Sequence, residues 1–117
     1  MLQKENRLKK NRDFQGVQKN GRYYHGDFLG IKISKSNQKE VRVGIIAVNK
    51  AFNNAPERNK ARRRVREILR VRVKQFKKGL DIVVILKKGI NTKSFKEVAA
   101  AIDSLMEQAG VFQEFRK

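Results

Sequence analysis

Apolar positions recur with the spacing of strands in three segments of the chain. Residues 28–33 alternate, with aliphatic side chains on one face and Phe28 among those on the other, as in a half-buried strand. Residues 41–48 are nearly apolar on both faces, which predicts a central strand, and residues 81–86 form the continuous apolar run of a strand covered on both faces. The polar segment 35–39 predicts a hairpin loop between the first two strands.

Three other segments have helical spacing. Residues 13–19 carry two apolar side chains three positions apart and end before an Asn-Gly pair, a common helix stop. A long helix is predicted over about residues 56–77, because Asn suits its cap, Pro56 suits its first turn and a glycine follows its end. A last helix is expected to be capped by Asn91 or Thr92. Its apolar positions are Phe95, Val98, Ala99, Ile102, Leu105 and Met106.

Strand, long helix and strand in succession form a βαβ unit, so the sheet is expected to be mixed, with at least one parallel pair. The predicted fold class is α/β, an α+β sandwich of three helices against that sheet. At 117 residues the chain is predicted to be one domain over 1–117, with one modest core. The first 12 residues are basic and are expected to form a frayed or extended arm.

Charge points to a polyanionic partner. The chain carries 29 Lys and Arg against 11 Asp and Glu, a formal net charge of 29 − 11 = +18. Such charge opposes compaction unless a polyanion neutralises it, and that binding would weaken steeply with salt. No apolar run is long enough to span a bilayer, so no membrane role is expected. Cysteine is absent, which permits a reducing, cytoplasmic setting.

The densest charge lies in residues 58–67, where six of ten side chains are cationic while Ala61 and Val65 keep helical apolar spacing. This pattern describes a helix that buries one side and shows water an arginine-rich face. Guanidinium groups bind phosphate through a bidentate fork and stack on bases. The segment therefore predicts a folded nucleic-acid-binding domain.

Three other kinds of protein are alternatives to this interpretation of the basic helix. A ribosomal or other general RNA-binding protein would share the charge, and it stays open as the alternative. A DNA-binding regulator would need a short turn and a preceding helix, whereas the long helix follows a strand. A self-sufficient nuclease would need acid–base or metal-binding residues, yet His25 is the single histidine and the carboxylates show no paired spacing.

Two motifs follow one another along the chain. The first is Arg7-Leu8-Lys9-Lys10-x-x-Asp13-Phe14, and the second is the segment 48–66 around Arg58-Asn59-Lys60. Together they resemble the protein component of bacterial ribonuclease P, over roughly residues 6–108. The resemblance implies a four-stranded mixed sheet packed with helices, in which the βαβ crossover is left-handed although the right hand is the general rule.

The resemblance also implies a function. Family members bind a large catalytic RNA that uses Mg²⁺, held mainly by that RNA, to cut the 5′ leader from precursor tRNA. The implied partners are ribonuclease P RNA and precursor tRNA, with no obligatory protein partner and no catalytic residue in the protein. Carried onto this chain, the RNA-contact residues are Lys50, Arg58, Asn59, Lys60, Arg62, Arg63, Arg66 and Arg70.

A second implied site is a cleft between the first helix and the sheet that holds the single-stranded leader. Its candidate residues in this chain are Arg7, Lys10, Phe14, Tyr23 and Phe28. The chain departs from the family pattern at four positions. Asn53 stands for a glycine, Pro56 for a valine, Lys60 for the second arginine, and Gln18 for a second cleft aromatic. Leader stacking is therefore expected to be weaker, or supplied by another aromatic.

Overall fold

The computed structural model describes residues 2–113. In that range the helices are α1 (Asn11–Asn20), α2 (Ala55–Arg72) and α3 (Phe95–Gln108). The strands are β1 (Arg22–Tyr24), β2 (Leu29–Lys35), β3 (Arg42–Ala47) and β4 (Leu80–Leu86). Short 3-10 turns at Lys4–Asn6, Asn49–Ala51, Val73–Gln75 and Ile90–Thr92 lie between these elements. No helix of the described part of the chain is long and apolar enough to cross a membrane.

The four strands form one mixed sheet in the order β1-β2-β4-β3. Strand β4 runs antiparallel to β2 and parallel to β3, which confirms the mixed sheet and the parallel pair predicted from the βαβ unit. Two predictions were wrong. The segment 35–39 is not a hairpin loop, because β4 lies between β2 and β3. Strand β3 is an edge strand rather than a central one, and β4 takes the central place.

The outer edge of β3 is partly covered by the amino-terminal arm, and apolar clusters cover both of its faces, which explains why an edge strand is so apolar. The backbone amide of Leu8 donates to the carbonyl oxygen of Val43 at 3.0 Å, and Arg7 forms a parallel bridge with Val43. Leu2 and Leu8 are each only 5% exposed. Between residues 2 and 8 the arm is packed against the sheet, so it is not frayed there. Its backbone is extended at Gln3 and Arg7, on either side of the 3-10 turn.

Apolar side chains fill both sides of the sheet. The main core lies between one face and helices α2 and α3, and α2 contributes Ala61, Val65, Ile68 and Leu69 to it. A smaller cluster of Leu8, Val17 and Val83 lies on the opposite face, with Phe14, Ile46 and Ile85 packed against it. Helix α1 belongs to this second layer, because Phe14 and Val17 are its members.

Helix α2 begins where the sequence predicts. The Asn54 side chain accepts a hydrogen bond from the Glu57 amide at 3.0 Å, and Pro56 lies in the first turn, where no amide hydrogen is needed. The helix ends at Arg72 and continues as a 3-10 turn to Gln75, two residues short of the predicted end.

Helix α3 is capped by Ser94, not by Asn91 or Thr92 as predicted. The Ser94 hydroxyl accepts from the Glu97 amide at 3.1 Å, and the Glu97 carboxylate accepts from the Ser94 amide at 3.0 Å. Asn91 and Thr92 instead lie in the 3-10 turn that precedes the cap. The two reciprocal bonds satisfy amides at the start of the helix that would otherwise lack partners.

A charged network joins α1 to the sheet. Arg42 donates to both carboxylate oxygens of Asp81, at 2.9 and 2.7 Å, and to Asp13 on α1 at 3.2 Å. Asp81 is 6% exposed. The hydrogen bond to Asp81 is the main cause that raises the pKa of Arg42 above its ordinary value. The network fixes where α1 lies on the sheet.

Candidate RNA interface

The apolar face of α2 is buried in the main core, so its cations face outward. Ala61, Val65, Ile68 and Leu69 are at most 1% exposed. Of the predicted RNA-contact residues on this helix, Arg58 and Arg62 are half-buried. The exposed ones are Asn59, Lys60, Arg63, Arg66 and Arg70. The helix thereby presents most of the predicted contacts on one continuous outer surface.

Four arginines of α2 are engaged within the protein. Arg64 donates to the Lys93 carbonyl oxygen at 2.7 Å, and Arg72 forms an ion pair with Asp103. Arg70 pairs with Glu67 at 2.6 Å, one turn away on the same helix. Arg58 donates to the Asn49 side chain at 2.7 Å. Arg64 and Arg72, which were not among the predicted RNA contacts, connect α2 to the α3 side of the molecule.

The remaining cations form what we call the free set: Lys50, Lys60, Arg62, Arg63 and Arg66. Among residues 2–113 none of the five makes an ion pair or a side-chain hydrogen bond. The Nε atom of Arg62 is buried and has no acceptor there. A buried donor of this kind needs an acceptor, which water or a ligand in the neighbouring cavity can supply. The free set is therefore the part of the predicted surface that is ready to receive phosphates.

A cavity of about 290 Å³ joins the two predicted sites. It lies between the amino-terminal arm, α1, the exposed edge of β3 and α2. Arg62 and Arg66 of the free set line it together with Arg7 and Phe14, which were predicted for the leader cleft. The structure thus brings residues of both predicted sites into one cationic pocket with a partly aromatic lining.

Phe14 lies against β3 at Gly44. A methyl group at Gly44 would overlap the Phe14 ring and come within 3.1 Å of the Leu8 Cβ. Glycine at this position therefore lets the ring lie directly on the strand. Lys10 precedes the first residue of α1, and its carbonyl oxygen accepts from the amide of Phe14 at 3.1 Å. The side chain of Lys10 is exposed at that end of the helix.

Tyr23 lies over a second glycine on the same face of the sheet. A methyl group at Gly30 would come within 2.5 Å of the Tyr23 hydroxyl. Gly30 pairs with Ile85, and Ile85 pairs with Ile46, so a half-buried apolar strip crosses the sheet from Tyr23 toward β3. This strip was not predicted from the sequence, although alternation along β4 and β3 places both isoleucines on one face.

The ammonium group of Lys87 lies at the Tyr23 end of this strip, at 5.5 Å from the ring centre. It is 2.9 Å from Nδ1 of His25 and donates to the Gly26 carbonyl oxygen at 3.0 Å. Gln18, which stands where the family has a second cleft aromatic, is exposed. Its backbone carbonyl oxygen accepts a hydrogen bond from the Lys32 ammonium group at 2.9 Å. Lys32 and Lys87 thus add positive charge beside the strip, and neither was predicted.

Phe28 lies apart from the other predicted cleft residues. It packs against the main core, on the α2 and α3 side of the sheet, and the Lys93 ammonium group is 5.6 Å from its ring centre. The predicted alternation put Phe28 on the same face as Gly30, but the strand begins at Leu29 and the pattern does not extend to Phe28. The sheet therefore separates Phe28 from Phe14.

Chemically, this is a binding surface of phosphate-directed cations with aromatic side chains at two places. Unpaired nucleic acid is bound by this combination, because bases stack on rings while cations neutralise the backbone. No group of three or more His, Cys, Asp or Glu side chains within residues 2–113 could hold a metal ion. The fold and the site define the class: a basic α/β domain built to bind RNA.

Comparison with known proteins gives the family. The family model described as Ribonuclease P matches residues 2–110. A ribonuclease P protein component from Herpetosiphon aurantiacus is 31% identical over 113 residues, covering 97% of this chain and 91% of that protein. The chain belongs to the ribonuclease P protein family.

Solved structures agree with this assignment. The ribonuclease P protein of Staphylococcus aureus superimposes with a TM-score of 0.83 at 27% identity, covering 92% of this chain and 98% of that one. The protein from Thermotoga maritima superimposes with a TM-score of 0.78 at 31% identity, covering 87% of this chain and 96% of that one. The family predicted from the two sequence motifs is confirmed.

Proposed function

We propose that this chain assists RNA-catalysed tRNA maturation by binding two RNA segments at adjoining surfaces. As a member of its family it is the protein component of ribonuclease P, a ribonucleoprotein endoribonuclease. The proposed surfaces are the free set on and beside α2, for ribonuclease P RNA, and the strip between Phe14 and Tyr23, for the 5′ leader of precursor tRNA. The observation that carries the proposal is the cavity where Arg62 and Arg66 meet Arg7 and Phe14.

The first surface acts through charge. Each cation of the free set that meets a phosphate releases condensed counterions, and this gain supplies much of the binding free energy at low salt. Because no carboxylate of residues 2–113 pairs with these side chains, they keep their full charge for the RNA. Asn59 lies among them, is exposed and can hydrogen-bond to the RNA. Arg58 and Arg70 lie beside the free set, but Asn49 and Glu67 already bind them, so little of the RNA affinity is assigned to these two arginines.

The second surface acts through position. A single-stranded leader that enters between α1 and Tyr23 would meet Phe14 at one end of the apolar strip and Tyr23 at the other. Lys10, Lys32 and Lys87 lie beside this path and can neutralise its phosphates. Contacts of this kind favour substrate that carries a leader over mature tRNA, which has none. Phe28 has no part in this path, because it lies on the other side of the sheet.

Magnesium belongs to the RNA in this proposal. Three carboxylates near the two surfaces are already engaged, because Asp13 and Asp81 bind Arg42 and Glu67 binds Arg70, and residues 2–113 contain no group of three or more acidic or His side chains that could hold a metal ion. These donors do not fit a protein-held Mg²⁺ site, so no step is assigned to a metal on the protein. When bound to the RNA, Mg²⁺ would activate water and stabilise the leaving oxygen.

The proposed location of this function is the cytoplasm, where precursor tRNA is processed.

The experiment is cleavage of a precursor tRNA at low Mg²⁺ by a bacterial ribonuclease P RNA alone, by the protein alone and by both together. Cleavage at the mature 5′ end that depends on the mixture supports the proposal. Cleavage by the protein alone would contradict it. Tight RNA binding without any stimulation would favour the alternative, a general RNA-binding protein such as a ribosomal protein.

The leader site is tested separately with Phe14→Ala. The reconstituted enzyme should bind precursor tRNA roughly tenfold more weakly, the effect of about one lost stacking contact, and should bind mature tRNA as before. Gln15→Ala, the next position on α1 and an exposed polar residue outside the strip, is the matched control and should leave both affinities unchanged. An equal loss for precursor and mature tRNA in Phe14→Ala would refute the leader assignment.

A further inference from the structure

An aromatic side chain outside both proposed surfaces is conspicuously exposed. Phe95 opens helix α3 with 48% of its surface accessible, whereas most large apolar side chains of the described residues are buried. Lys96, which follows it, is exposed, and Lys93 lies two positions before it. Half of a phenylalanine ring left in water loses much of the stabilisation that burial would give. The cluster of Lys93, Phe95 and Lys96 is called the α3 patch below.

The α3 patch is held rigidly against α2. The Arg64 guanidinium donates to the Lys93 carbonyl oxygen at 2.7 Å. The Asn91 side chain donates to the Glu57 carbonyl oxygen at 2.9 Å, which ties the preceding 3-10 turn to the first turn of α2. The capping box at Ser94 then fixes the direction in which α3 begins. Three separate contacts therefore set the position of the patch relative to the cationic helix.

The patch continues the cationic surface of α2 around the helix. Arg62 and Arg66 lie on the flank that faces the amino-terminal arm, and Arg64 lies on the opposite flank, toward Lys93. Each residue of a helix is rotated by about 100° about the helix axis from the one before it. This rotation puts Lys60 and Arg63, which are exposed, on the outer surface between the two flanks. An RNA bound to Lys60 and Arg63 can therefore reach the α3 patch, which lies next to them on the Arg64 flank of α2.

We propose that Phe95 is a stacking platform for an unpaired base of ribonuclease P RNA, with the neighbouring, exposed Lys96 binding an adjacent phosphate. The inference rests on the proposed function, since it takes the same RNA as partner, but it adds a contact that the α2 helix does not contain. An exposed ring beside an exposed lysine suits a single-stranded nucleotide, because stacking and phosphate neutralisation act together there. A duplex would offer no open base face to the ring.

The test compares variants by equilibrium binding to ribonuclease P RNA over a range of salt concentrations. Phe95→Ala should lower the affinity roughly tenfold at every salt concentration, since stacking is largely independent of salt. Phe95→Tyr should keep the affinity, and Phe95→Leu, apolar but not aromatic, should lose it. Lys96→Ala should reduce the salt slope by roughly one unit. The control is Val71→Ala on α2, which removes an apolar side chain that is 57% exposed and lies outside the patch.

Several outcomes would overturn the inference. Unchanged affinity in Phe95→Ala would remove the stacking role, and retained affinity in Phe95→Leu would reduce it to a generic apolar contact. A loss confined to precursor tRNA, with normal binding of ribonuclease P RNA, would move the contact to the substrate and refute the stated partner. Loss in Arg66→Ala together with normal binding in Phe95→Ala would leave the proposed function standing and the α3 patch refuted. Thermal unfolding of each variant checks that the fold is retained.

Discussion

Arg66 and Arg70 lie one turn apart on α2, and the structure predicts that they contribute differently to RNA binding. Arg66 is exposed, lines the cavity beside Phe14 and has no partner among residues 2–113. Arg70 pairs with Glu67 at 2.6 Å, and this hydrogen bond lowers the pKa of Glu67 below its ordinary value. We therefore expect Arg66→Ala to weaken RNA binding, and the double change Glu67→Ala with Arg70→Ala to leave the electrostatic part of the affinity intact.

The expected loss of affinity in Arg66→Ala follows from one phosphate hydrogen bond, and its salt dependence follows from counterion release. A charge-assisted hydrogen bond from Arg66 to phosphate is worth about 1.5 kcal/mol, which is roughly tenfold in affinity at low salt. One phosphate contact also contributes roughly 0.7 to 0.9 to the slope of log affinity against log salt. A fourfold rise in salt, from about 50 to 200 mM, then costs the unmodified protein roughly threefold more than it costs Arg66→Ala. The advantage of Arg66 should therefore shrink from about tenfold to roughly threefold.

The assay is equilibrium binding of ribonuclease P RNA at four or more salt concentrations, with circular dichroism to confirm that each variant is folded. The Glu67 and Arg70 double variant is the matched control, because it removes two side chains from the same helix face without changing the net charge. Equal slopes for Arg66→Ala and the unmodified protein would refute the free set as the phosphate-binding surface. If the double variant reduced the salt slope as much as Arg66→Ala does, Arg70 would bind phosphate in spite of its ion pair with Glu67.

Two further predictions concern the elements that position the leader site. Gly44→Ala should displace the Phe14 ring and reduce discrimination between precursor and mature tRNA at least as much as Phe14→Ala, while the overpacking costs about 1–3 kcal/mol in urea unfolding; unchanged discrimination would contradict the placement of the ring. Asp81→Asn should destabilise the protein by about 2–3 kcal/mol, since Arg42 keeps Asp13 but loses its main partner; a loss below about 1 kcal/mol would show that the network contributes little.

Features that depend on residues close together in the sequence, such as helix caps, could be predicted from the sequence. The Asn54 and Pro56 start of α2 depends on side-chain and backbone groups within a few residues, so it could be read from the sequence. The cationic face of α2 followed from the same helix, because burying its apolar stripe turns the arginines outward. The Ser94 cap of α3 was missed although its capping box is equally local. The expected cap was placed too early, at the 3-10 turn that precedes it.

Pairing between distant segments could not be predicted from periodicity. Apolar runs report how strongly a strand is covered, and both β3 and β4 are covered on two faces. That β4 separates β2 from β3 depends on the crossover of α2, which no local signal in 35–39 reveals. Strand β3 has the apolar pattern of a central strand because apolar clusters cover both of its faces, although it lies at the edge of the sheet. Strand β1, three residues long at the other edge, was too short to produce a recognisable pattern.

The candidate leader site shows why a convergent site is harder to predict than the residues that form it. Gly30 and Gly44 interrupt two strands, and glycine within a strand is a signal that another group approaches the backbone closely. That signal was present in the sequence, but which ring approaches each glycine depends on the sheet order and on where Arg42 holds α1. Phe28 sits only two residues from Gly30, yet the sheet puts it on the other face. Residue type and spacing therefore suggest which side chains contact RNA, whereas topology decides which of them can contact the same nucleotide.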